Sequence, residues 1–182
     1  MKHALSKNKN LHCTYIDYKK AFDSIPHSWL LHILNIYKIN PKITNFLKKI
    51  MTQWETTLHL HTPNYNINTR EIAIKKGIYQ GDSVSPLWFC LALNPLSYRL
   101  QCNRAGYRLK HDNNGTTILH LIYMDDIKLY SRNNKEMKTL IDTTTEFSED
   151  IHMHFGRRPD RRRRRPRSTP VERIHILFIQ KW

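Results

Sequence analysis

The chain has 182 residues, and 30 Lys and Arg against 15 Asp and Glu give it a formal net charge of +15. That excess excludes indifference to polyanions and makes nucleic acid or a membrane surface the first partner to consider. The 40% of hydrophobic residues suffice for one folded core and exclude wholesale disorder. Cys13, Cys90 and Cys102 are too few and too scattered for a disulfide framework or a thiolate metal site, which suits a reducing, intracellular setting. No apolar run reaches the ~18 residues that span a bilayer, so no helix is expected to cross one, and of the two polyanions nucleic acid, not a membrane, is the partner expected. The opening MKHALSKNKN has no apolar stretch of signal-peptide length.

In chain order, residues 11–17 (LHCTYID) form a β-prone run that ends at an acid. Leu30, Ile33, Leu34 and Tyr37 follow the i, i+3, i+4, i+7 rule and predict a helix over 27–38. Asn40-Pro41 supplies an N-cap and a proline at the first position of a second helix, with Ile43, Phe46, Leu47, Ile50, Met51 and Trp54 as its buried stripe. Residues 56–61 and 67–74 read as a hairpin about a Pro-Asn turn. A third helix opens at Ser85-Pro86 and runs towards Leu100, with Pro95 expected to kink or interrupt it. Residues 106–110 and 116–124 make a strand pair around a turn at 112–115, and 127–131 makes one more strand. Met137, Leu140, Ile141, Thr144, Phe147 and Ile151 mark a last helix, with Gly156 as its stop. The layout is α+β, a small antiparallel sheet with helices packed on one side.

The charge is uneven. Residues 157–167 (RRPDRRRRRPR) hold eight Arg and one Asp. Self-repulsion and two prolines predict an extended, disordered Arg-rich segment over 157–170, followed by a short C-terminal piece over 171–182. Arg161, Arg162, Arg163, Arg164 and Arg165 are its candidate nucleic-acid contacts. A nuclear-import or RNA-binding patch is one reading, and a solvated tail that meets polyanions without selectivity is the other.

Three carboxylates stand out. Asp17 ends the first strand, and Asp125 and Asp126 sit in a tight turn between two β-prone runs. If the strands are neighbours, the three converge on one edge of the sheet, an arrangement that is costly unless a cation neutralises it. Hard carboxylate oxygens suit Mg²⁺, and a pair of such ions is what an in-line phosphoryl displacement needs. The HxH pairs His59/His61 and His152/His154 have no further ligand at convincing spacing.

Three segments, YIDYKKAFDSI (15–25), GIYQGDSVSPLWFCLALNPLS (77–97) and YMDD (123–126), resemble in order motifs A, B and C of reverse transcriptases. The likeness is greatest to those of non-LTR (LINE-type) retrotransposons and covers residues 11–156. It implies a polymerase palm over residues 1–156 that adds dNTPs to a DNA primer on an RNA template. Two Mg²⁺ ions, with Mn²⁺ as an alternative, would be held by Asp17 and Asp125, and Asp126 would be the second acid of the YMDD turn. Tyr18 would offer its main chain to nucleotide or metal. Phe22 would lie under the incoming sugar and favour deoxynucleotides, a role compatible with that of a core aromatic. Gln80 and Gly81 would line the nucleotide and template site, Asp82 and Ser83 would cap the following helix, and Asp23 would support its loop.

The chain also departs from the family pattern. Sixteen residues precede Asp17, nothing after Gly156 resembles a thumb, and a lysine-bearing strand gives way to the Arg block. The expectation is therefore an incomplete or decayed copy with little activity alone. A non-catalytic basic protein that binds RNA through charge is the alternative. The expected location is intracellular, with nucleus and cytoplasm both open and the Arg-rich segment an argument for the nucleus.

Overall fold

The structure is a computed structural model that describes residues 10–61, 66–109 and 115–156. The polar start, the Pro-Asn turn at 62–65, residues 110–114 with most of the turn expected at 112–115, and the whole Arg-rich segment with the C-terminal piece lie outside the described residues. In chain order the elements are β1 (His12–Ile16), α1 (Ala21–Ser24), α2 (His27–Ile36), α3 (Pro41–Thr52), β2 (Glu55–Thr56), β3 (His59–His61), β4 (Asn66–Asn68), β5 (Ile72–Ala73), α4 (Ser85–Cys102), β6 (Tyr107–Arg108), β7 (Thr117–Ile118), β8 (His120–Tyr123), β9 (Asp126–Ser131) and α5 (Asn134–Asp150). They form two compact units: Phe22–Ala92, and the described residues up to Ala21 together with those from Leu93 onward. Among the described residues, no helix is long and apolar enough to cross a membrane.

The unit containing both ends of the described chain is built on an antiparallel sheet of order β1-β9-β8. Its register opposes His12 to Ser131, Thr14 to Leu129 and Ile16 to Ile127, and on the other side His120 to Leu129 and Ile122 to Ile127. Opposed residues share a face, so these positions make one face, on which Thr14, Ile127, Leu129 and Ser131 are all buried. α5 packs against β9 and β1, and its Met137, Leu140, Ile141, Thr144 and Phe147 are buried at the spacing the sequence predicts. The threonines are accommodated because they bond backward along the helix, Thr144 Oγ1 donating to the Leu140 carbonyl at 2.8 Å. Asn133 caps the helix, accepting from the Glu136 amide at 2.9 Å. At the other end the chain leaves the helix at Ile151, so Gly156 is not its stop.

The sheet's second face is covered at one end only. There Leu11, Cys13 and Tyr107 are buried together with Leu109 and Tyr130 against them, beneath the β6–β7 pair. The predicted strand 116–124 is therefore two strands: β7 pairs with β6, the chain shifts at Leu119, and β8 pairs with β9.

In the other unit, α2 buries Leu30, Ile33 and Leu34, and Asn40 caps α3 by accepting from the Lys42 amide at 2.9 Å, as expected. The stripe expected to be buried on α3 is largely not. Ile43 and Phe46 are 52% and 63% exposed, Leu47, Ile50 and Trp54 are half-buried, and only Met51 of the stripe is buried, beside Thr44. The hairpin over 56–74 is broken into two short ladders, β2–β5 and β3–β4, whose strand residues are all exposed. α4, whose residues up to Ala92 belong to this unit and whose residues from Leu93 belong to the first, runs without interruption through Pro95. Buried residues on both sides of it, Phe89, Ala92, Leu93 and Leu96, hold the helix despite the one amide that proline removes.

Candidate active site

β1 stops at Ile16, opposite Ile127. One residue further, Asp17 emerges at the end of the sheet where Asp126 faces Tyr123 across the β8–β9 hairpin. Asp125 occupies the two-residue turn between those strands. The structure thus brings Asp17, Asp125 and Asp126 to one end of the three-stranded sheet, the first two half-buried and the third exposed. Met124, the first turn residue, has φ +53, while Asp125 does not have positive φ. This is the pattern of a type II′ turn at a position glycine usually takes. Such a backbone costs on the order of 1–3 kcal/mol and is typical of places where a neighbouring side chain must be aimed.

Asp17 is braced from its other side. Gly156 N donates to the Asp17 carbonyl at 2.7 Å and Lys19 N donates to the His154 carbonyl at 2.8 Å, making an antiparallel bridge between Tyr18 and Phe155. These bonds flank Tyr18, so its own N–H and C=O turn to the opposite edge. Its side chain is 3% exposed, with the ring 5.4 Å from that of Phe155 and the hydroxyl 2.8 Å from Ser148 Oγ. Burial pushes its pKa up to about 12. Tyr18 therefore has only its main chain to offer a ligand.

The donor set suits a hard divalent cation. Among the described residues no three His, Cys, Asp or Glu side chains are gathered tightly enough to enclose a metal by themselves. Mg²⁺, however, is usually bound through one or two carboxylates, with water and substrate phosphates completing the shell. Two carboxylates from adjacent backbone segments at an accessible sheet end fit that demand.

The acid end shares its sheet face with an exposed row. Tyr15, Lys128 and Leu121 are opposed across the three strands and exposed, two residues (about 7 Å) from Asp17, Asp126 and Tyr123. The Lys128 ammonium lies 5.5 Å from the centroid of the Tyr15 ring.

The remaining candidates belong to the Phe22–Ala92 unit. Phe22 is half-buried and stacks on Phe89 at 4.8 Å with 11° between the planes, which makes it a packing residue there. Its carbonyl accepts from the Ile78 amide at 2.9 Å, and Gly77 N donates to the Ile25 carbonyl at 2.8 Å. Gly77 has φ +89, and a Cβ on it would stand 3.0 Å from the Asp23 backbone, so the main chain of Asp23, within α1, is packed against that glycine. Gln80 and Gly81 are exposed. Gly81 has φ +92 and open space where a Cβ would stand; conformation, rather than crowding within the chain, calls for glycine. Asp82 accepts from Val84 N at 3.3 Å and Ser85 Oγ at 3.4 Å at the start of α4, the capping role expected of it. His59 and His61 are engaged through Nδ1 with Asn68 Oδ1 and Asn66 Oδ1, each at 2.8 Å. Arg161 to Arg165 lie outside the described residues.

The bracing of Asp17 by residues 154–156 has no local signal in the sequence. A glycine after a helix reads as a stop, and only the pairing partner, 139 positions upstream, gives it another meaning.

The reverse transcriptase (RNA-dependent DNA polymerase) family model matches residues 1–156. Among curated proteins, the chain is 29% identical over 90 residues to a retrovirus-related Pol polyprotein from type-1 retrotransposable element R2 of Popillia japonica, covering 50% of this chain and 12% of that protein. A Pol polyprotein of the same name from Nasonia vitripennis is 33% identical over 89 residues, 49% of this chain and 8% of its own length. The chain therefore spans about an eighth or less of these relatives. Among solved structures, apo telomerase from Candida tropicalis superposes with a TM-score of 0.53 at 16% identity, over 85% of this chain and 29% of that one. A form of it truncated from the C-terminal domain gives 0.51, over 87% and 34%. At such identity the likeness is one of fold. The motifs, the antiparallel sheet and the family match agree: the chain belongs to the reverse transcriptase family, as a reverse transcriptase domain of the non-LTR retrotransposon type.

Proposed function

We propose that the acid end of the β1-β9-β8 sheet is the nucleotidyl-transfer centre of an RNA-directed DNA polymerase, with the sheet as its palm. The observation that carries this reading is the register that brings Asp17, Asp125 and Asp126 together. Asp17 and Asp125 would hold the divalent ions, two Mg²⁺ or Mn²⁺, with Asp126 beside them. Ions held there would supply the positive charge needed for attack of the primer 3′-hydroxyl on the dNTP α-phosphate and for departure of pyrophosphate. The chain's own contribution is positioning. Tyr18 presents its main chain to the nucleotide, Phe22 lies under its sugar, and Gln80 and Gly81 line the nucleotide and template. The exposed row Tyr15–Lys128–Leu121 is a surface on which the primer strand rests, and Arg161 to Arg165 bind phosphates of template and primer.

A second reading, a basic RNA-binding protein without catalysis, draws on the net charge of +15. Primer extension on a primed RNA template with Mg²⁺ and dNTPs separates the two. Extension by the chain that Asp17→Asn and Asp125→Asn abolish supports the polymerase. Template binding without extension, unchanged in both variants and indifferent to Mg²⁺, favours the binding protein.

A further inference from the structure

Gly156 is not among the residues with positive φ, which include Gly77, Gly81, Gly106 and Gly115. Its backbone conformation is open to any L-residue, so conformation does not explain a glycine there. Its surroundings do. A Cβ built on Gly156 would stand 3.3 Å from Asp17 Oδ2 and 3.4 Å from the Asp17 carbonyl oxygen. It has little freedom to swing clear, because the Gly156 amide is tied to that same carbonyl at 2.7 Å and the Tyr18–Phe155 contact holds the next residues. The contact is relieved by moving the carboxylate, the outer end of a short side chain. A few tenths of an ångström of movement changes where the oxygen lies.

We propose that Gly156 is a positioning residue for the candidate metal site: its bare Cα leaves the space in which the Asp17 carboxylate is set, with residues 154–156 as a fixed rail along it. The inference rests on the reading of Asp17 as a metal ligand. Segment 154–156 thereby takes on a role in metal binding through a position whose own side chain is a hydrogen. Groups that support a metal ligand typically change affinity by about 10–100-fold when altered, and a Cβ at Gly156 belongs at the lower end of that range.

The test is titration of the full chain with Mn²⁺, followed by electron paramagnetic resonance of the free ion, beside circular dichroism and thermal unfolding. Gly156→Ala weakens Mn²⁺ about tenfold with its melting curve unchanged, and Asp17→Asn weakens it further. In the double variant, Gly156→Ala adds nothing to Asp17→Asn, because the alanine acts only through that carboxylate. A merely structural glycine would not show this dependence. Wild-type affinity in Gly156→Ala beside a weakened Asp17→Asn overturns the inference and leaves the metal reading standing. Unchanged affinity in Asp17→Asn overturns the metal reading and the inference with it. Loss of folding in Gly156→Ala also overturns the inference, since the position would then be structural.

Discussion

The hydroxyls of Tyr18 and Ser148, 130 positions apart, are 2.8 Å from each other in the buried interior. Ser148 Oγ donates to the Thr144 carbonyl at 2.6 Å, so its single proton is committed and Tyr18 is the donor of the pair. This bond ties the residue after Asp17 to the last turns of α5, and the position of the candidate ligand to a helix that follows the YMDD turn.

Removing that tie should cost measurable stability. Tyr18→Phe and Ser148→Ala should each lower the free energy of unfolding by about 1 kcal/mol, the usual net worth of one such bond. The double variant should lose clearly less than the two single losses combined. Denaturant titration of the four proteins checks this, and fully additive losses would show the two groups to be independent.

Stability should fall in two steps on acidification. Burial holds the pKa of His120 below its ordinary 6.5, so the fold favours the neutral ring. Its contribution is complete above pH 6.5 and is lost as pH drops through the lowered folded value. For Glu136, burial pushes upward but is outweighed by hydrogen bonds from the Arg132 side chain and from the Arg132 and Gly106 amides, together with the Arg132 charge, leaving the pKa below 4.5. Its contribution is complete above pH 4.5 and is lost beneath it. Unfolding midpoints followed from pH 8 to pH 3 should show the first step vanish in His120→Gln and the second in Glu136→Gln.

Helix α4 carries an avoidable burden at Pro95. Pro95→Ala restores an amide to the helix interior and should raise stability by about 1–3 kcal/mol. An unchanged or lowered unfolding midpoint would mean that the ring's packing outweighs the missing bond.

Residues 157–167, with eight Arg, should dominate salt-sensitive binding. Affinity for a primed template should fall by about 0.9 log units per log unit of salt for each duplex phosphate contacted. Deletion of residues 157–182 should flatten that slope. An identical slope in the truncated chain would remove Arg161 to Arg165 from the interface.

Much of this was legible in the sequence, and what was not has physical causes. Local signals behaved as expected where the determinant is itself local: Asn40-Pro41 starts α3, and Met137, Leu140, Ile141, Thr144 and Phe147 line the buried side of α5. The acids were legible because strand ends and a two-residue turn fix where they emerge. Periodicity misjudged α3, since a 3.6-residue stripe says which residues share a side but not whether anything covers it; Ile43 and Phe46 are exposed. Pro95 misled because tertiary burial on both sides outweighs one lost bond. The ladder between 17–19 and 154–156 was invisible because long-range pairing leaves no mark on either segment alone. For Phe22 the sequence allows both a core and a sugar-contact role, and its stacking on Phe89 accounts for the first.

The most direct measurement of the central claim is Mn²⁺ anomalous scattering from crystals of the chain soaked with Mn²⁺ and a dNTP. The account predicts ion density bonded to carboxylate oxygens of both Asp17 and Asp125, at the end of the β1-β9-β8 sheet. Ions bound elsewhere, or an Asp17 carboxylate more than ~10 Å from both Asp125 and Asp126, far beyond the two-ion spacing of about 3.5–4 Å, would contradict it.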